Sequence, residues 1–395
     1  MKRPLPRRPL GYSILALLSA LLGVATPPAN ASKDTEDRLL DFERPFAEGI
    51  RGITVGPIEN TLHSDKGYGS DTSAQTFQLS RRLGANWVSL TPFGRAWNLT
   101  PSGVDLRFEA QFSENRRNVI AAIRQAHNQG LKVLLVPHLW VETGEWRALI
   151  HFDNDQEWKR WFEAYRVFLL TWAAVAQEAN VDLFSAGVEW RSWVTTTHAP
   201  SFAKLLREVK RVYRGPITYA ANWDDVEHTV ILGELDVIGI NAFYPLTDKE
   251  DASMDDLLRG GSELVARVER LALEWRKPVL FTEIGYTTRP DPALRPWEWP
   301  DSMQHVTVDG TAQAEAYFAL LHRFLEEPWF LGFFVWRNYA DPYDTSQEAP
   351  WGFSPLHKPA EIVMRDAFAQ PFAYEGPPPI GHAFGNPRAQ QIGRY

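Results

Sequence analysis

Short apolar, β-branched runs alternate with longer amphipathic segments through eight consecutive units, and few architectures accommodate that alternation. We read strands at Gly52–Pro57, Asn86–Pro92, Lys132–Trp140, Leu183–Glu189, Pro216–Asn222, Leu235–Tyr244, Pro278–Tyr286 and Phe330–Asn338. Runs that stay apolar along their length belong to a parallel sheet covered on both faces. Helical patterns lie between them, clearest in Asp155–Glu178, where Trp158, Trp161, Phe162, Tyr165, Phe168, Leu169 and Trp172 recur at helical spacing. Gly84, Gly130 and Gly215 each stand between a helix and the next strand, where a C-terminal cap belongs. Eight such units predict an α/β fold, a single (β/α)8 TIM barrel with long βα loops. The rival, a doubly wound open sheet, brings a glycine-rich phosphate loop after its first strand, and Ile58-Glu59-Asn60-Thr61 is not one.

The barrel is expected over residues 49–370. Residues 1–31 read as a signal peptide: Lys2, Arg3, Arg7 and Arg8 form a basic start, Tyr12 to Val24 is apolar, and Ala29-Asn30-Ala31 precedes Ser32 as a cleavage site. An apolar run so short suits removal better than anchoring, so we expect a secreted or periplasmic protein with no membrane attachment in its mature form. Residues 32–48 read as a linker and 371–395 as a Pro/Gly-rich tail.

Removing the signal takes four basic residues and no acid from the chain's 41 basic and 49 acidic residues, leaving a net charge of −12. Such a balance argues against nucleic acid and anionic membrane as partners, and we expect a monomer. The chain has no cysteine, which excludes disulfides, thiolate metal ligands and a cysteine nucleophile. Asp341, Asp344 and Glu348 fit no calcium-loop spacing and read as a solvated loop. With no zinc cluster, no Gly-x-Ser-x-Gly elbow and no phosphate loop, neither metal nor cofactor is implied.

Two carboxylates end strands that otherwise have no use for them. Glu189 follows Leu183-Phe184-Ser185-Ala186-Gly187-Val188, and Glu283 follows Pro278-Val279-Leu280-Phe281-Thr282. At the C-terminal end of a barrel strand a glutamate points into the mouth, where its burial is costly unless it is paired or used. Two facing carboxyls are what glycoside cleavage requires: one gives a proton to the leaving oxygen and the other attacks or steadies the anomeric carbon. Their environments must differ. Trp190 offers an apolar wall that would raise Glu189, while Tyr286, Arg337 and Tyr244 are candidate donors to hold Glu283 ionised.

Sixteen tryptophans point the same way. We assign Trp87, Trp158, Trp161, Trp172, Trp275 and Trp329 to the core. Trp97, Trp140, Trp146, Trp190, Trp193, Trp223, Trp336 and Trp351 fall at or after strand ends, the active face of a barrel. Indole rings there suit a sugar, flat, apolar on its faces and rimmed by hydroxyls. Trp336 would floor the site, Trp146 and Arg147 would shape a subsite, and His138 on the third strand would either touch substrate or sit satisfied in the core.

The segments Gly187-Val188-Glu189-Trp190 and Phe281-Thr282-Glu283-Ile284-Gly285-Tyr286 resemble the clan of barrel glycosidases that carries an acid/base on strand four and a nucleophile on strand seven. With Gly144-Glu145-Trp146-Arg147-Ala148, the run Glu208–Gly215, Ile217-Thr218-Tyr219, Tyr244-Pro245 and Gly332-Phe333-Phe334-Val335-Trp336, the chain resembles glycoside hydrolase family 113 from about Gly52 to Asp344. The resemblance implies a retaining β-1,4-mannanase acting on polysaccharide or oligosaccharide, with Glu189 as acid/base and Glu283 as nucleophile. One position departs from the clan: the asparagine that often precedes the acid/base, and binds the sugar 2-hydroxyl, is Val188 here. Asn222 and Asn241, at the ends of strands five and six, are the replacement amides, unless each merely caps a turn. Two other readings stay open, a β-glycanase or β-glycosidase for a gluco- or xylo-type substrate and a barrel that binds carbohydrate without cutting it.

Overall fold

A computed structural model of the chain describes residues 46, 48–57, 65–107, 110–300, 303–344 and 348–376. The segments read as signal peptide, as most of the linker and as most of the tail lie outside the described residues.

Eight strands close into a parallel barrel in the order β1 (Ile50–Gly56), β10 (Phe330–Tyr339), β9 (Val279–Ile284), β8 (Ile238–Asn241), β7 (Ile217–Asn222), β6 (Leu183–Val188), β4 (Lys132–Leu135) and β2 (Trp87–Leu90), with β2 returning to β1. This is a (β/α)8 TIM barrel. Almost every barrel-strand residue is buried, as expected of strands that face side chains on one side and helices on the other. Six of the helices that cover it are α1 (Asp71–Leu83), α2 (Phe112–Asn128), α3 (Asp155–Glu178), α5 (Ala199–Val212), α6 (Met254–Trp275) and α7 (Gly310–Phe324); the one-turn α4 (Arg191–Val194) and the closing α8 (Pro359–Ala369) complete the set among the described residues. Trp158, Trp161, Tyr165, Phe168, Leu169 and Trp172 of α3 are all buried, so the spacing read from the sequence is the packed stripe. The six tryptophans assigned to the core are buried too.

Three local expectations are corrected. The predicted third strand is two strands, β4 and β5 (His138–Val141), and the second continues into β3 (Phe93–Ala96). Pro92 and Pro137 interrupt them, because a proline has no amide hydrogen for the ladder. Beyond the break β3 and β5 pair with each other as a separate parallel two-stranded sheet, with Phe93 opposite His138 and Arg95 opposite Trp140. The fifth unit has two 3-10 turns, Val226–His228 and Val230–Glu234, in place of an α-helix. Gly84 and Gly130 adopt the left-handed backbone of a helix cap, but α5 ends at an extended Tyr213 and Gly215 does not cap it.

Small residues inside the barrel mark where backbone and side chains approach. A Cβ on Gly239 would lie 2.6 Å from both Thr218 Oγ1 and the Tyr219 carbonyl oxygen. We predict that Gly239→Ala lowers folding stability by about 1–3 kcal/mol through overpacking, measured by denaturant unfolding; an unchanged midpoint would show that the interior has slack at that layer.

Candidate active site

Two strand irregularities aim the carboxylates. In β9, Phe281 is opposite Ile240 of β8, but the next pair is Glu283 with Asn241, so Thr282 is an extra residue. Phe281 packs outward on Phe324 of α7, and the bulge reverses the alternation so that Glu283, two residues on, reaches the side chains of the mouth. In β6, Ser185 pairs with Thr218 and Val188 with Ala220, three steps against two. Gly187 sits within that irregularity at φ 150°, where a Cβ would press on Trp190, Phe202 and the Tyr165 hydroxyl at about 3 Å. Glu189 follows with φ 56°, a sparsely populated backbone for a glutamate that the amide bond to Ala220 O (2.9 Å) helps hold. Glu189 and Glu283 are only 8% and 7% exposed.

Glu189 is held by three donors: Trp146 Nε1 (2.7 Å) and Arg147 Nη1 (2.7 Å) on Oε2, and Asn241 Nδ2 (2.9 Å) on Oε1. Asn241 is itself fixed by the Thr282 hydroxyl donating to its Oδ1 (2.9 Å) and stands opposite Glu283 in the register of β8 and β9. Asn241 therefore bonds one carboxylate and is the cross-strand neighbour of the other.

His138 and Arg147 complete a chain of contacts between the two glutamates. Arg147 Nη2 donates to His138 Nδ1 at 3.0 Å, and its Nε donates to the Leu139 carbonyl at 3.1 Å. With Nδ1 accepting, the imidazole proton resides on Nε2, which faces Glu283 Oε1 at 3.4 Å and donates to it. Burial first, then the charges of Arg147 and Arg337, hold His138 well below the usual imidazole range, so the ring is a neutral donor. Glu283 is pushed well above the usual carboxylate range, first by burial and then by the charge of Glu189; Arg147, Arg337 and Asn241 oppose this. Arg337 lies buried at the end of β10, its guanidinium 4.7 Å from the Trp336 ring and 4.8 Å from Tyr339.

The other expected site residues divide. Trp336 packs 6.1 Å from His138, centroid to centroid, at the base of this group. Trp190 does not face Glu189: its ring is buried against Trp161 (5.6 Å) and Tyr165 (4.8 Å) of α3, and Trp193 joins the same cluster, so both belong to the core rather than the rim. Tyr244 packs on Trp223 and Phe281 under Arg267, and Tyr286 packs on Tyr317 of α7. Both tyrosines lie beyond the strand ends, where alternation no longer governs direction, and neither hydroxyl meets Glu283. Asn222 donates to Asp224 Oδ1 (2.6 Å) within its own loop, a turn contact. Val188 is buried in the strand. Asp341, expected in a solvated loop, is buried and paired with Lys66 at 3.0 Å.

The rim carries exposed rings on two sides. Trp97 (58% exposed) and Trp140 flank Arg95, which pairs with Glu142 and lies 5.5 Å from the Trp97 ring. Across the barrel, the loop after β9 presents Trp297 (45% exposed), stacked at 5.1 Å on Trp223, and Trp299. Trp297 and Trp299 were not anticipated, although the run Pro296-Trp297-Glu298-Trp299-Pro300, in the connection that follows a predicted strand, carried the signal. Arg191 was not anticipated either: its guanidinium lies 4.7 Å from the Trp146 ring while it bonds Asp224 and Asp225. Asp225 is pushed up to about 6 by burial, which Arg191 opposes.

A closed parallel eight-stranded barrel with two buried carboxyls in its mouth fits the barrel glycoside hydrolases. The family model of glycoside hydrolase family 113 matches residues 61–351, and the chain belongs to that family. Among solved structures, it is similar to a GH113 β-1,4-mannanase (25% identity, TM-score 0.69), with the match covering 81% of this chain and 99% of that one. It is equally similar to the GH113 β-mannanase AaManA from Alicyclobacillus acidocaldarius in complex with ManMIm (25% identity, TM-score 0.69, 81% and 97%). A Faecalibacterium prausnitzii β-glucuronidase shares the fold alone (17% identity, TM-score 0.55, 82% and 50%). No curated protein matches the chain.

The electrostatics of Glu283 carry a sign that can be measured. Its folded pKa lies above the unfolded one, so its contribution to stability is fully present below the unfolded value and is lost as pH rises through the folded value. Glu283→Gln, similar in shape and never charged, should therefore raise the melting temperature at about pH 8, and the gain should vanish near pH 4, where the carboxyl is protonated in both states. Equal melting temperatures at both pH values would remove Glu283 as a buried, destabilising charge.

Proposed function

We propose that the chain is a retaining, endo-acting β-glycanase with β-1,4-mannan as its favoured substrate, Glu189 the general acid/base and Glu283 the nucleophile. The observation that carries this reading is that two buried carboxyls, at the ends of the fourth and seventh barrel strands, are joined in one mouth through Arg147 and His138; retention calls for about 5–5.5 Å between them and inversion for about 6.5–9.5 Å.

In the first step Glu189 gives its proton to the glycosidic oxygen as that bond breaks, and a Glu283 oxygen bonds to the anomeric carbon. In the second, Glu189 takes a proton from water as the water oxygen displaces Glu283, returning both groups to their starting forms. The first step needs its proton on Glu189 and an anion on Glu283. Positive charge developing on the sugar next to Glu283 favours that distribution, and the N–H of neutral His138 and the charge of Arg337 support the anion there. Asn241 is the amide placed to meet a sugar hydroxyl beside the scissile bond, in the absence of an asparagine at position 188.

Mannan is favoured because the family-113 structures to which this chain is similar are described as mannanases. Exposed tryptophans on both sides of the mouth suit a chain of several sugars. Export to the periplasm or medium belongs to the same proposal and rests on the N-terminal segment; among the described residues no helix is long and apolar enough to cross a membrane.

Reducing-sugar release from mannan, glucomannan, xylan and β-glucan tests the substrate: mannan and glucomannan should be cleaved fastest, and release from xylan or β-glucan alone would reassign it. Roles are read by azide. Glu189→Ala should lose about 10²–10⁴ on polymer, keep forming the intermediate from an activated aryl glycoside, and with azide give a β-glycosyl azide. Glu283→Ala should give the α-product. Products exchanged between the two variants would reverse the assignment, and near-native polymer cleavage by both would end it.

A further inference from the structure

Trp146 bonds Glu189 through one edge and is held on its face by a residue from a different loop. Its indole N–H donates to Glu189 Oε2 at 2.7 Å, and the Arg191 guanidinium lies 4.7 Å from its ring, within the range of a cation–π contact. Arg191 opens α4 two residues after Glu189, so both contacts to Trp146 come from one short stretch of chain. The turn between them is fixed: the Trp190 amide donates to the Tyr219 hydroxyl at 2.6 Å while the Trp190 ring is buried in the core. Arg191 is fixed in turn from the loop after β7. Its Nε donates to Asp225 Oδ2 at 2.8 Å and its Nη2 to Asp224, which also accepts from Asn222 Nδ2 at 2.6 Å. Asp225 is itself buried and is tied to the end of β7 by its amide bond to Asn222 O at 3.2 Å.

From this geometry we propose that Arg191, anchored by Asp224 and Asp225, is a positioning residue that holds the Trp146 indole so that its N–H meets the acid/base carboxylate. The inference rests on the reading of Glu189 as acid/base. Three consecutive βα loops then meet at one ring: the loop after β5 supplies Trp146, the end of β6 supplies Glu189 and Arg191, and the loop after β7 supplies the two aspartates. One face of the indole is covered by the guanidinium, which leaves the opposite face and the outer edge for the sugar that departs. The planar guanidinium covers the indole while gripping two aspartates through separate nitrogens, a combination that the single ammonium of a lysine does not reproduce.

A residue that acts through proton donation affects substrates according to their leaving groups, which a general loss of structure does not. Arg191→Met should lower kcat/KM on a β-1,4-manno-oligosaccharide by about 10- to 100-fold, the scale of a misplaced catalytic group. On a 2,4-dinitrophenyl β-mannoside, which departs without a proton, kcat/KM should stay within about threefold. Trp146→Phe keeps an aromatic ring and removes the N–H, and in that background Arg191→Met should add little further loss on the oligosaccharide. Arg191→Lys keeps a positive charge beside the aspartates without the two-nitrogen grip, and it is read by the same ratio if the methionine variant does not fold; it should show the selective loss. Equal losses on both substrates, or losses of Arg191→Met and Trp146→Phe that multiply independently, would overturn the proposal. Glu189→Ala serves as the control. If it retains oligosaccharide cleavage, the acid/base reading fails and this inference with it; if it loses cleavage while the Arg191 variants match the wild type, the inference alone fails.

Discussion

Two carboxylates are buried in one barrel mouth, and the rest of the site follows from making that arrangement tolerable. An isolated buried charge in such surroundings would cost several kcal/mol, so each must meet donors. Arg147 is the centre of the solution. Its planar fork addresses Glu189 with one nitrogen, His138 with a second and the Leu139 carbonyl with the third, so a single cation fixes one carboxylate directly and the other through a neutral imidazole. A lysine, with one nitrogen on a flexible stem, has no geometry for those three directions at once. Its effect on His138 is also specific. By donating to Nδ1 it sets the tautomer, and the histidine becomes a hydrogen-bond donor to Glu283 without adding a charge that would compete for the same proton.

Much of the fold was legible because burial on both faces leaves a strong mark. Eight apolar runs and the helical stripe of Asp155–Glu178 each depend on many residues, so the barrel survives errors at any one of them. What could not be read were features decided by one or two residues. The break at Pro137 converts one long predicted strand into a barrel strand plus a rim strand, a rim strand outside the predicted bounds follows Pro92, and the fifth unit replaces a helix with 3-10 turns. Gly215 looked like a cap from its spacing alone, yet the helix before it ends without one.

The site divides along the same line. Glu189, Glu283, Arg147, Trp146, His138 and Asn241 are brought together because each stands at or just after a strand end. Trp190, Tyr244 and Tyr286 have the same credentials in sequence and turn away. The difference lies in backbone direction: bulges in β6 and β9 break the two-residue alternation, and past the last paired residue nothing in the pattern says which way a side chain points. Arg191 escaped notice for a related reason. Its partners are Trp146, Asp224 and Asp225, from loops that only the closed barrel makes neighbours, so its place could be seen only once the strand order was known.

The short sheet formed by β3 and β5 gives the two banks of the mouth different mechanical character. On one bank His138 and Trp140 stand on a hydrogen-bonded ladder that continues directly from the barrel wall, so the groups nearest the reaction are borne by paired backbone. On the bank opposite, Trp297 and Trp299 are carried by a long connection after β9 whose shape is kept by turns and side-chain contacts. Insertions and substitutions are far easier to absorb in the second kind of support than in the first. Divergence among barrels of this plan therefore has a natural direction: the ladder bank keeps the chemistry in register, while the loop bank is free to drift, lengthen and exchange its rings as the polymer to be gripped changes.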